Sequence, residues 1–563
     1  MSRAIEIEGL SFRYRRSTGD ALRKITYLQE PGEAVAIVGR SGAGKSSLVR
    51  CLNRIIPKFF PGDFQGQIGL FGKDIRGLRP FELADRVGVV LQDFESQLFS
   101  SQAELDVAFG PENLGLGREE IQRRVSEALA RVGMLDYRER DPGTLSGGQK
   151  QRLAIATVLA LHPRILALDE ATTDLDPVGR EEITSIVRQL GQGAISLVLV
   201  EHEPEELRMV DRVVILKQGM VEREGPVEEI LGDVEGLETA GVRPPDAAKL
   251  FSEMGFAERP IRVEQAVELL QRAGERFSET GIQRLRVLDQ EASNGVGDTI
   301  LHVEGLGHSY PGGTEALKGV DLQVREREFL AVVGQNGSGK TTLVKHLNGL
   351  LRPTRGEVFF QGRSIKESSV SELGKEIGFV FQNPDHQIFS SSVKEEIAFG
   401  PRNHGFSEKD IKDRVERALE LVGLTGLEKS DPFIMTRGER QRVAVASILA
   451  MGPRVIILDE PTTGLDYTEQ VAVMEMLAEL NRKGHTIIII THTLWLVARY
   501  AHRVVLMAEG RIIAHGGSRE VLARRETLAR ASLKPPEIIE IGEAFGFPTL
   551  SVQEFIGLAR ESA

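Results

Sequence analysis

VAIVGRSGAGKSSLVRCLN, residues 35–53, decides the fold. The apolar run VAIV leads into GRSGAGKS (39–46), which fits G-x-x-x-x-G-K-[ST], and a helix-like segment follows. That strand–turn–helix context separates a phosphate-binding loop from an ordinary glycine-rich turn. The glycines let backbone N–H groups wrap a phosphate, and the N-terminus of the following helix adds positive potential. Lys45 is placed to reach the β- and γ-phosphates, and Ser46 to ligate Mg2+. The stretch occurs again as LAVVGQNGSGKTTLVKHLN (330–348), with Lys340 and Thr341 in the same roles. The candidate phosphate cradles are therefore Gly39, Arg40, Ser41, Gly42, Ala43, Gly44, Lys45, Ser46 and Ser47, and Gly334, Gln335, Asn336, Gly337, Ser338, Gly339, Lys340, Thr341 and Thr342.

Working outward, the repeat covers most of the chain. LQDFESQLFS (91–100) returns as FQNPDHQIFS (381–390), and VAFGPENLGL (107–116) as IAFGPRNHGF (397–406). ILALDEATTDLD (165–176) returns as VIILDEPTTGLD (455–466), and RPPDAAKLFSEMGF (243–256) as KPPEIIEIGEAFGF (534–547). A period near 290 residues is far too long for a solenoid and reads as two tandem domains. We expect a first domain over 1–240, its C-terminal extension and a linker over 241–298, a second domain over 299–530, and a second extension over 531–563. The lysines lie 340 − 45 = 295 apart but Gln92 and Gln382 only 290, so the first copy carries five extra residues, around KFFPGDF (58–64). These read as a longer surface turn, or, through their phenylalanines, as a contact surface.

Short, continuously apolar runs such as EAVAIVG and ILALD suit strands buried on both faces. EEIQRRVSEALARVGML (119–135) has helical spacing, and VEQAVELLQRAG (263–274) is amphipathic. Their alternation predicts an α/β fold: two P-loop domains with mostly parallel sheets. SETG (278–281) and SNGVGD (293–298) read as flexible breaks in the linker.

The net charge is 70 − 82 = −12 over 563 residues, which argues against a protein held mainly by nucleic-acid phosphates. One cysteine, Cys51, excludes an internal disulfide and a cysteine-based zinc site, and fits a reducing, cytoplasmic setting. The opening MSRAIEIEGLSF lacks the layout of a signal peptide, and no run approaches the ~18 apolar residues that span a bilayer.

Paired acids close one strand in each copy. Asp169 and Asp459 would hold the Mg2+ shell, and Glu170 and Glu460 would polarise the attacking water. His202 and His492 follow apolar strands, where a histidine can hydrogen-bond a γ-phosphate.

The order P-loop, Gln92 or Gln382, LSGGQ (145–149), DE, LD and His resembles the nucleotide-binding domain of ABC ATPases, twice over. The resemblance implies that ATP lies between the P-loop of one domain and the signature of the other. Tyr14 and Tyr310 would stack on adenine. Gln92 and Gln382 would contact Mg2+ and the water, and Asp176 and Asp466 would be D-loop acids. Ser146, Gly147, Gly148 and Gln149 would serve the Lys340 site. In the second copy LSGGQ has become MTRGE (435–439), so Thr436, Arg437, Gly438 and Glu439 would serve the Lys45 site. We expect both sites to bind MgATP and the Lys340 site to hydrolyse faster, against the alternative of equal sites.

QNPDHQIF, AFGP and the PP-containing extensions are most similar to the ATPase subunits of energy-coupling factor (ECF) transporters, which import vitamins and transition-metal ions. That resemblance implies a peripheral position on the cytoplasmic face of the membrane. It also implies an integral membrane scaffold subunit, a small substrate-binding membrane protein, and no nucleic acid. A soluble tandem ATPase acting on ribosomes or nucleic acid, and the fused ATPase of a sugar importer, are the alternatives.

Overall fold

The computed structural model describes residues 2–560 other than 16, 18, 173, 174, 192, 194, 295 and 296, and residues 291–294 by backbone alone. The chain divides into two compact units, 1–248 and 249–563.

In the first unit VAIV lies in strand Ala34–Val38, every residue of which is buried. It sits inside a six-stranded sheet in the order Met220–Pro226, Arg212–Lys217, Ala34–Val38, Ser196–Val200, Ile165–Asp169, Val87–Val90. All neighbours are parallel except the first pair. Both faces of the parallel strands are covered, which is why Ala34–Val38, Ser196–Val200, Ile165–Asp169 and Val87–Val90 are buried throughout, while the antiparallel edge strand Met220–Pro226 alternates. A four-stranded antiparallel sheet (Leu22–Gln29, Ile5–Tyr14, Gly62–Leu70, Lys73–Asp74) packs its apolar side into the same core through Ile5, Ile7, Leu10 and Phe12. The second unit repeats both sheets around Phe329–Val333 and Thr299–Ser309. Register places Asp169 beside Val200 and Asp459 beside Ile490, so each acid pair ends its strand level with the strand that leads to a histidine.

The amphipathic segments form helices Arg118–Arg131, burying Val125, Ala128 and Leu129, and Val263–Arg272, burying Ala266 and Leu270. Two sequence expectations change. The five-residue insert is an exposed turn only over 59–61, where Phe59 and Phe60 stand open; from Gly62 it lengthens strand Gly62–Leu70, which pairs as far as Tyr14↔Gly62, whereas the second copy stops at Gly307↔Arg355. Gly62 is required there, because any Cβ would run into Arg13 O and the Phe12 ring. SETG is not a break. Ser278 Oγ accepts from Gly281 N at 3.1 Å and caps helix Glu279–Asn294. Of SNGVGD, residues 295 and 296 lie outside the described residues.

The segment after 248 packs with the second unit. Phe277 sits 5.7 Å from Phe545 and 4.8 Å from Phe555, centroid to centroid, and Arg519 bridges Asp289 (2.7 Å) and Glu554 (2.9 Å). Among the described residues no helix is long and apolar enough to cross a membrane.

Candidate functional site

Each glycine-rich loop turns through the left-handed region at three glycines: Gly39, Gly42 and Gly44 in one copy, Gly334, Gly337 and Gly339 in the other. The last of each trio also lies too close to neighbouring backbone for a side chain. A Cβ on Gly44 would stand 2.5 Å from Ala21 O, and one on Gly339 2.7 Å from Ala316 O. Helices Lys45–Leu52 and Lys340–Leu347 start there, so the N–H groups of their first turns open onto the loops.

Both lysines are buried. Lys45 Nζ donates to Gly39 O (2.8 Å) and Arg40 O (3.1 Å), and Lys340 Nζ to Gly334 O (2.8 Å) and Gln335 O (2.9 Å). Ser46 Oγ donates to Asp169 Oδ1 at 2.9 Å, and Thr341 Oγ1 to Asp459 Oδ2 at 2.9 Å. Burial pushes the Asp169 carboxyl up to about 6 and raises that of Asp459, with the hydroxyl bonds opposing. Asp169 Oδ2 is buried and has no hydrogen-bond partner among the described residues. Tyr14 and Tyr310 reach the same helices through Ser47 Oγ (2.9 Å) and Thr342 Oγ1 (3.1 Å).

The next acid differs between copies. Glu170 Oε2 accepts from Gln92 Nε2 at 2.7 Å, its Oε1 lies 3.2 Å from His202 Nε2, and Lys45 Nζ is 4.0 Å away. Glu460 Oε1 lies 3.1 Å from His492 Nδ1, and Thr463 Oγ1 donates to its Oε2 at 3.4 Å. Gln382 is exposed. Glu170 (φ 52°) and Glu460 (φ 48°) both hold left-handed backbone. Such strain costs on the order of 1–3 kcal/mol and concentrates at functional positions.

The two signatures share one local structure. Ser146 and Gln149 form a reciprocal capping box: Gln149 N donates to Ser146 Oγ (3.3 Å) and Ser146 N to Gln149 Oε1 (2.9 Å). Thr436 and Glu439 form the same box, at 3.2 and 2.8 Å. Serine to threonine and glutamine to glutamate keep both bonds. Gly148 and Gly438 hold equivalent places in the first helical turn, which leaves Arg437 for Gly147 as the substantive change. Asp176 Oδ1 accepts from Gly179 N (2.9 Å), and Asp466 Oδ1 from Glu469 N (2.9 Å), each capping the helix after its D-loop.

Two features lie outside the motifs. Lys150 pairs with Glu95 at 2.8 Å, and Arg440 with Asp385 at 2.7 Å, so each signature helix is tied to the segment three residues past Gln92 or Gln382. The first copy also buries two glutamates side by side. Thr172 Oγ1 lies 3.0 Å from Glu201 Oε2 and 2.9 Å from Glu206 Oε2, where the second copy has Thr491 and Leu496. Burial, then the Glu206 charge, raises Glu201 well above the ordinary 4.5. Below the ordinary value both folded and unfolded chains carry the proton. As pH rises, the unfolded chain loses it first, so this group's contribution to stability falls. Glu201→Gln should remove that fall. Thermal unfolding should show the variant melting higher than the parent at pH 8, by roughly 2–4 °C per kcal/mol recovered for a unit of this size, with the gap shrinking at pH 5.

A P-loop, a strand-end acid pair bonded to the loop's hydroxyl, a histidine on the second acid and a capped signature helix define an ATP-binding cassette ATPase. The ABC transporter family model matches residues 22–173 and 317–463. A Caldanaerobacter subterraneus subsp. tengcongensis protein named "Putative ABC transporter ATP-binding protein" is 45% identical over 561 residues, 99% of each chain. A Methanosarcina acetivorans protein of the same name is 40% identical over 544 residues, 94% of this chain and 89% of that one. The solved structure of cbiO1 from Clostridium perfringens, described as part of the ABC transporter complex cbiONQ, is 40% identical. It covers 44% of this chain and 99% of its own, with a TM-score of 0.40. The chain belongs to the ABC transporter family: it carries two ATP-binding domains and is an ATPase.

Proposed function

We propose that the chain is the ATP-hydrolysing motor of an ECF-type membrane importer for a small molecule such as a vitamin or a transition-metal ion. The observation that carries the partner is an exposed aromatic pair present in both copies. Phe99 and Phe109 meet edge to face at 4.8 Å, and Phe389 and Phe399 at 4.6 Å. Phe99 is 63% and Phe389 57% exposed, each seven residues past its glutamine. Large apolar side chains left open beside a reactive loop in duplicate suit the docking of helices from a membrane scaffold. A small membrane protein bound to that scaffold would then select the substrate.

The chain is organised as two ATPase domains, each followed by its PP-containing extension. The halves pair head to tail, so the Ser146 signature completes the Lys340 site and the Thr436 signature the Lys45 site. Mg2+ commonly takes one or two carboxylates together with substrate phosphates and water. Ser46 with Asp169, whose Oδ2 has no hydrogen-bond partner among the described residues, and Thr341 with Asp459 fit that set, and a bound Mg2+ would neutralise phosphate charge. Lys45 and Lys340 hold phosphate, Glu170 and Glu460 accept the proton of water, and His202 and His492 orient those glutamates. Binding closes the halves, hydrolysis reopens them, and the motion passes to the membrane partner.

The test is a mild-detergent pull-down of the tagged chain from its own cells. A polytopic scaffold with a small integral membrane binder supports the importer. Ribosomes, nucleic acid or no membrane protein would replace it with a soluble tandem ATPase.

A further inference from the structure

Arg437 does not reach into solvent; it lies on the D-loop of its own unit. A Cβ built on Gly464 would stand 2.5 Å from Arg437 Nη1, 2.8 Å from its Cζ and 3.2 Å from its Nε. The guanidinium therefore covers the side of Gly464 from which a side chain would project. A second contact runs the other way. A Cβ on Gly438 would stand 2.7 Å from Glu469 Oε1 and 2.8 Å from its Cδ. Glu469 belongs to the first turn of helix Tyr467–Arg482, where it forms a capping box with Asp466. Each element thus sends a charged side chain over a glycine of the other, and each glycine is one that no larger residue could replace without moving that side chain.

The first copy has the opposite choice at these positions. Gly147 stands for Arg437, Asp174 for Gly464 and Gly179 for Glu469. Among the described residues, a Cβ on Gly148 would meet nothing closer than Gly179 Cα at 3.8 Å and Leu175 Cδ2 at 3.9 Å, which is ordinary contact. Arginine with glycine in one copy and glycine with aspartate in the other are complementary choices, so the substitution in MTRGE is half of a matched pair.

We propose that Arg437 and Glu469 are positioning residues that fasten the second copy's signature turn to its D-loop, so that the two move as one body. Combined with the crossed sites proposed above, on which this consequence rests, the tie restrains the signature serving Lys45 and slows turnover there. It also explains why the capping box survives intact while the glycine does not. The change alters mobility and leaves the turn in place.

The test uses the full chain. Without nucleotide, amide hydrogen exchange of Arg437→Gly should rise in both segments 435–440 and 462–470. Arg437→Lys, which keeps the charge but not the planar fork, should fall between. In a Glu460→Gln background, where turnover reports the Lys45 site, Arg437→Gly should raise kcat roughly 3- to 10-fold with KM for ATP changed less than about twofold, and Arg437→Lys should restore part of the restraint. Exchange unchanged, or raised in one segment only, overturns the tie. Exchange raised in both with no change of turnover at either site overturns its positioning role. Exchange raised in both with turnover altered at the Lys340 site instead keeps the tie and removes the crossed-site reading.

Discussion

Glu460→Gln should cost the chain most of its steady-state ATP turnover, about tenfold or more, while Glu170→Gln should cost less than about half. Losing a positioned general base typically costs about 10²–10⁴-fold at the site concerned. What remains after either change is the turnover of the other site, so the two losses measure the sites separately. The asymmetry expected from MTRGE acquires a second structural source. Gln92 donates to Glu170 Oε2 at 2.7 Å, whereas Glu460 Oε2 accepts from Thr463 and its Oε1 lies beside His492. Glu170 must give up that bond before it can act. Equal losses in the two variants, measured by phosphate release at saturating MgATP, would contradict the inequality.

Lys340→Ala should abolish tight nucleotide binding at its own site, weakening it roughly 100-fold, and leave one tight ATP per chain. The ammonium is buried and closes the loop through Gly334 O and Gln335 O. Alanine leaves both carbonyls without that donor and removes the cation this loop aims at phosphate. Charge-assisted hydrogen bonds contribute about 1.5–3 kcal/mol each, and 100-fold corresponds to about 2.7 kcal/mol. Equilibrium titration with labelled ATP counts the tight sites. Two tight sites remaining would place phosphate recognition elsewhere.

The residues legible in the sequence are those whose chemistry sits within one turn or at one strand end. Lys45, Ser46, Asp169, Glu170 and His202 could be picked out because each follows an apolar strand at a fixed offset, and the fold then brings the strands side by side. Glu95 with Lys150, and Arg437 with Gly464, were not legible. They lie 150 − 95 = 55 and 464 − 437 = 27 residues apart, and only packing joins them. The insert is a turn over 59–61, as read, but its strand part was missed because the partner, Tyr14, lies 62 − 14 = 48 positions upstream of Gly62; a strand is recognised by what it pairs with. SETG was misread because small polar residues mark both breaks and helix caps, and Ser278 is a cap. The buried Glu201 and Glu206 were visible as EHEPEE, but the hydroxyl that meets both, Thr172, lies 29 and 34 residues away.

Crossed sites, in which each signature serves the P-loop of the other copy, are tested most directly in a chain silenced at the first site by Glu170→Gln. The turnover remaining there belongs to Lys340. Ser146→Ala in that chain should then lower turnover a further ~100-fold, the usual cost of one transition-state hydrogen-bond donor, while Thr436→Ala should change it less than about twofold. The reverse pattern, loss with Thr436→Ala and none with Ser146→Ala, would contradict the crossed arrangement.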